Sequence, residues 1–121
     1  MKNKSKGLEI RPNQWFSTEI YFGRNCSTGG EVSEQQFHEF LVNNVTPAFP
    51  AGMTVYDAYG QMQHHNGGIV KQKTKVVVLV HKNTKADDDA ITKIVAAYRR
   101  EFGKPQVMLL MKQVKPTLHG D

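Results

Sequence analysis

Residues 71–81 (KQKTKVVVLVH) constrain the fold more than any other stretch of this sequence. Val76, Val77, Val78, Leu79 and Val80 form an unbroken aliphatic run, preceded by Lys71, Lys73 and Lys75 at every second position. Side chains on a strand alternate between faces, so the lysines share one side and Val70, Gln72 and Thr74 the other. Beyond Lys75 both sides are apolar, the pattern of a central strand covered on both faces.

The chain has 121 residues, enough for one domain with a core that needs no covalent staple. The expected layout is a basic tail at 1–13, a single domain at 14–115 and a short tail at 116–121. Much of the formal charge of +5 comes from Lys2, Lys4, Lys6 and Arg11 in the first tail, leaving the body only mildly basic. Cys26 is the single cysteine, which rules out an internal disulfide or a thiolate metal cluster. No apolar run approaches the roughly 20 residues of a membrane span. The basic start has no hydrophobic region behind its charges, so the expected location is cytoplasmic, with an exported mature form left open.

From residue 15 the sequence alternates as a strand (WFSTEIYFGR). Phe16, Thr18, Ile20 and Phe22 fall on one face, and Trp15, Ser17, Glu19 and Tyr21 on the other. A glycine-bearing loop leads to a helix with a full start signal. Ser33 and Gln36 make a capping box, Val32 and Phe37 a hydrophobic staple, and Pro47 ends the helix by Thr46. Residues 53–62 (MTVYDAYGQM) read as a second strand, and Asn66-Gly67 as the turn of a hairpin into the lysine–valine strand. A second helix starts near Asn83 or Thr84. Asp87, Asp88 and Asp89 lie in its first turn, Ile91, Ile94, Val95, Tyr98 and Phe102 form its buried stripe, and Gly103 with Pro105 stops it. Residues 107–114 (VMLLMKQV) make the last strand.

Strand–helix–strand twice over predicts an α+β, ferredoxin-like βαββαβ fold: a four-stranded antiparallel sheet with both helices on one face, the first and third strands central. Trp15, Tyr21, Val77, Leu79 and part of 107–111 are expected on the face without helices. That face is too apolar for water, which predicts a homo-oligomer closed over it and space there for a small-molecule ligand.

In order, the segments TEIYFGR (18–24), GEVS (30–33), VTPAFPAG (45–52), YDAYGQ (56–61), KVVVLVH (75–81) and AYRREFG (97–103) resemble a small bacterial family of unknown function, typified by T-E-L-Y-F-G-R, V-T-P-x-F-P-x-G and K-V-L-V-L-V-H. The resemblance implies no established activity. Relatives with these motifs follow an export signal, which this sequence lacks, and carry an aromatic where Met62 stands.

Candidate chemistry rests on polar groups of the strands. Glu19 or Asp57 is a candidate general base, with Arg24 or Lys75 steadying an anion, and Tyr21, Tyr59 and Gln61 are candidate ligand contacts. The competing reading pairs Glu19 and Asp57 with lysines on neighbouring strands. His64 and His65 lie in the hairpin turn without the spacing of a metal site, and no cofactor motif is present. An RNA-binding alternative shares the fold and would use Lys71, Lys73 and Lys75 on phosphates, but it lacks aromatics for base stacking on the third strand. A structural or partner-binding subunit is the third reading.

Overall fold

The computed structural model describes residues 14–120, so the basic segment 1–13 lies outside the described residues. The elements are β1 (Trp15–Gly23), α1 (Glu34–Phe40), β2 (Thr54–Gln63), β3 (Ile69–Lys82), α2 (Lys85–Glu101) and β4 (Val107–Val114). The strands form one antiparallel sheet in the order β2-β3-β1-β4, the ferredoxin-like arrangement with β1 and β3 central.

β1 keeps the two faces its alternation implies. Phe16, Thr18, Ile20 and Phe22 are all buried beneath the helices. The ring of Phe22 lies 4.6 Å from Tyr98 and 5.5 Å from Phe37, joining both helices to the sheet through one aromatic cluster. The Tyr98 hydroxyl donates to the Gly23 carbonyl at 2.7 Å, satisfying a polar group that burial would otherwise strand.

α1 opens with the anticipated capping box between Ser33 and Gln36. It continues through a π-helical turn, Leu41–Val45, closed by Thr46 N–H donating to the Leu41 carbonyl at 2.9 Å. The wider turn places Val45 in the core just ahead of Pro47. Thr84 caps α2 by accepting from Asp87 N–H at 3.1 Å. After α2 the backbone turns left-handed at Gly103 and, against the usual side-chain preference, at Lys104. The hairpin between β2 and β3 turns through residues 64–68, which include the expected Asn66-Gly67 pair. Only Gly67 has positive φ, and His64 N–H donates to Gly68 O across a wider loop.

The phase of β3 corrects one expectation. Its register with β1 sets Ile20 opposite Val77 and Thr18 opposite Leu79, so Val77 and Leu79 face the helices and belong to the core. Val76, Val78 and Val80 take the open face instead. Lys71, Lys73 and Lys75 share the phase of Val77 and therefore lie on the helix side, which removes the lysine stripe from the surface the RNA-binding alternative needed. An all-apolar run gives no sign of which residue faces which way, and only the cross-strand partners decide it. The open face still carries exposed Trp15, Tyr56, Val80, Met108 and Leu110.

Candidate functional site

The strand residues singled out from the sequence divide between the two faces of the sheet. On the helix side, Arg24 follows the end of β1 and is folded back under the loop before α1. Its Nε donates to the Val32 carbonyl at 2.9 Å and its Nη1 to Glu34 Oε2 at 3.0 Å. Lys75, opposite Asp57 in the β2–β3 register, donates to Glu34 Oε1 at 2.7 Å and contacts Asp57 Oδ1 at 2.6 Å. Its ammonium also stands 5.9 Å from the Phe37 ring centroid.

Both cationic side chains are buried and both carboxylates are largely exposed. The hydrogen bond from Lys75 holds the Glu34 and Asp57 carboxyls below their usual values. Burial pulls the Lys75 ammonium down, but its hydrogen bonds to Asp57 and Glu34 outweigh this and its pKa is raised. A carboxylate locked to an ammonium is a poor proton acceptor, so Asp57 meets the cross-strand ion-pair reading. Tyr59 lines a shallow cleft of about 310 Å³ beside this cluster, whereas Gln61 lies further along β2, opposite Lys71.

Glu19 and Tyr21 are on the other face, and the sheet separates them from Arg24, Asp57 and Lys75. The Tyr21 hydroxyl donates to Glu19 Oε1 at 2.8 Å. That bond to a carboxylate, reinforced by burial, pushes the phenol up to about 12, so Tyr21 stays protonated at neutral pH. Lys112 on β4 approaches Glu19 Oε2 at 4.0 Å.

Beside Tyr21 the open face sinks into a hollow of about 380 Å³, bordered by Gly23, Gly60, Gln72, Thr74, Gln106 and Met108. Gly23 and Gly60, on the two strands that flank β3, border it, and only over Gly60 is the backbone open. A Cβ on Gly23 would stand 2.5 Å from Gln72 Oε1 and 2.9 Å from the Gln106 carbonyl. Gln72 Oε1 accepts Asn25 N–H at 3.2 Å, fixing the amide at the wall. Sequence reasoning passed over this hollow. Gly60 inside β2 and Gly23 at the end of β1 were its only signal, and in a sequence they are indistinguishable from a bulge and a strand end.

His81, without an assigned partner in the sequence, is buried and bonded through Nε2 to Thr18 Oγ1 at 2.6 Å, with Nδ1 2.9 Å from the Lys82 carbonyl. A carbonyl can only accept, so Nδ1 donates its proton there. Among the described residues no group of three or more His, Cys, Asp or Glu side chains could hold a metal ion, and no helix is long and apolar enough to cross a membrane.

A family model described as "Protein of unknown function (DUF3574)" matches residues 17–117. No curated protein matches the sequence. Among solved structures, a phage SAM lyase in complex with S-methyl-5′-thioadenosine superposes with a TM-score of 0.64 at 13% identity, over 88% of this chain and 86% of that one. A phage SAM lyase in the apo state gives 0.57 at 12% identity, over 90% and 87%. At these identities the likeness is one of fold.

Proposed function

The chain belongs to the DUF3574 family, a family of unknown function, and we propose that it is a small-ligand-binding module that works as a homodimer closed over its open sheet face. The observation that carries this reading is a mainly apolar hollow in that face, edged by a few polar side chains. Glycines inside strands mark places where a ligand can approach the backbone. Around Gly23 and Gly60, the side chains of Tyr21, Gln72 and Thr74 offer hydrogen-bonding groups, with the Glu19 carboxylate next to Tyr21. Few polar groups converging within an apolar surround is the usual composition of a small-molecule site.

The ligand class that suits this lining is an uncharged molecule rich in hydroxyl and amine groups, such as a nucleoside. The buried cations Arg24 and Lys75 are on the far side of the sheet and already neutralised by Glu34 and Asp57. Any proton transfer at the hollow falls to Glu19, while Arg24, Asp57 and Lys75 brace the fold. The face itself measures about 19 by 29 Å from strand spacing and rise. With side-chain relief, that approaches the ~800 Å² per partner of a standard interface.

Sedimentation and calorimetric titration test the reading. The wild-type chain is expected to self-associate, and Val80→Glu to halve its mass without altering its circular dichroism. S-methyl-5′-thioadenosine is the first probe, because a phage lyase of the same fold was solved with it. Glu19→Gln is expected to weaken its binding about tenfold, roughly 1.4 kcal/mol, because it removes the charge-assisted bond that orients the Tyr21 hydroxyl at the hollow. Unchanged mass in Val80→Glu overturns the face-to-face dimer, and absence of heat with this probe overturns a nucleoside as the ligand.

A further inference from the structure

β4 is an edge strand whose side chains are exposed on both faces. Met108 and Leu110 point to the open side and Leu109 and Met111 to the helix side, yet each retains about half its surface to solvent (53, 47, 45 and 47%). A partner lying on the open face would cover only the first two. Exposed apolar edge strands invite further strand pairing, and proteins normally shield them with charge, proline, a bulge or another element. Residues 107–111 carry none of these devices.

On the helix side, the space next to Leu109 is a groove of about 650 Å³ floored by Thr92, Val95 and Ala96 of α2, with Arg99, Arg100 and Lys104 gathered at one end. These small side chains continue a stripe with opposite charges at its ends. Residues at steps of four form a ridge that runs obliquely to the helix axis, so Asp88, Thr92, Ala96 and Arg100 lie along one slanting ridge of α2. Asp88 and Arg100 are exposed, and neither enters an ion pair among the described residues.

We propose that β4 and α2 together form a second self-association surface, on which a second copy of this chain binds edge to edge. Antiparallel pairing of the two β4 strands continues the sheet across a two-fold axis. The same axis lays the α2 helices antiparallel. Centred near residue 94, it sets Asp88 against Arg100 of the partner subunit and Thr92 against the partner's Ala96. Each acidic helix start then meets a basic helix end twice over, while the small residues let the helices approach to the 8–10 Å typical of packed helices. Leu109 and Met111 become the floor beneath both helices. The charge stripe is what selects a second copy over an unrelated strand: it is complementary to itself when reversed.

A charge exchange measured by sedimentation tests this. Asp88→Arg places like charges across the axis, as does Arg100→Glu, and each is expected to halve the wild-type mass. The double variant Asp88→Arg/Arg100→Glu restores the opposite pairing and is expected to recover the wild-type mass. Melting temperature serves as the control, since both positions are exposed. The proposal is overturned if the single variants keep the wild-type mass, or if the double variant stays as small as the singles. Val80→Glu reads the open face separately, so failure of either surface is recognisable on its own.

Discussion

Gly23 and Gly60 both border the hollow, but their surroundings differ. A methyl on Gly23 collides with Gln72 Oε1 and the Gln106 carbonyl, whereas at Gly60 the nearest atom is the Gln72 carbonyl at 3.7 Å, an ordinary contact. Gly23→Ala is therefore expected to destabilise the chain by about 1–3 kcal/mol through overpacking. Gly60→Ala is expected to leave the thermal midpoint nearly unchanged while weakening S-methyl-5′-thioadenosine binding, because the added methyl projects from the wall of the hollow. Thermal melts and titrations on the two variants check this split. What was legible at this scale was the identity of polar strand residues, since alternation along β1 separates Glu19 and Tyr21 from the core positions. Their grouping was not legible: Glu19 and Asp57 lie on opposite faces, and no local pattern in β2 or β3 reports that. Glu34, the carboxylate that joins Arg24 to Lys75, escaped notice because a first-turn glutamate is ordinary in any helix.

The ion cluster ties three elements together, with Glu34 on α1, Asp57 on β2 and Lys75 on β3. Its contribution to stability has a definite sign with pH. The carboxyl values of Glu34 and Asp57 are lowered by folding, so their stabilisation is fully present above the ordinary values of 4.5 and 3.8 and is lost as pH falls through the lower folded values. The Lys75 value is raised above 10.5, so its share is present below that pH and fades only at stronger alkalinity. Urea midpoints measured from neutral pH into acid should decline across that acidic window. Glu34→Gln/Asp57→Asn should start lower and decline less steeply. Element starts and stops were readable because caps and breakers act locally, as the Ser33–Gln36 box and the Gly103–Pro105 stop show. The orientation of β3 was hidden, because Val76 to Val80 offers the same chemistry to either side.

Two different surfaces, the open face and the β4 edge, each associate with a copy of themselves in this reading. Isologous contacts on two such surfaces close into a four-chain particle when their two-fold axes meet at right angles, the arrangement this reading requires. The wild-type chain is accordingly expected to sediment as four chains, Val80→Glu or Arg100→Glu as two, and the combined variant as one; light scattering over a concentration series checks it. The overall architecture was the most legible level, since strand–helix–strand repeated twice leaves one favoured topology. The β4 edge was only half legible, because the sequence showed an apolar strand at 107–111 but not that both its faces would remain exposed. The strand order carries one more consequence, for the route by which the chain folds. β1 lies between β3 and β4, and Ile20 is paired on one side with Val77 and on the other with Leu109. Both partners leave the ribosome long after β1 does, whereas β2 and β3 meet across a short loop as soon as they emerge. The hairpin can nucleate early, but β1 must wait through most of synthesis with its apolar side chains exposed, and closing those long loops sets the pace of folding.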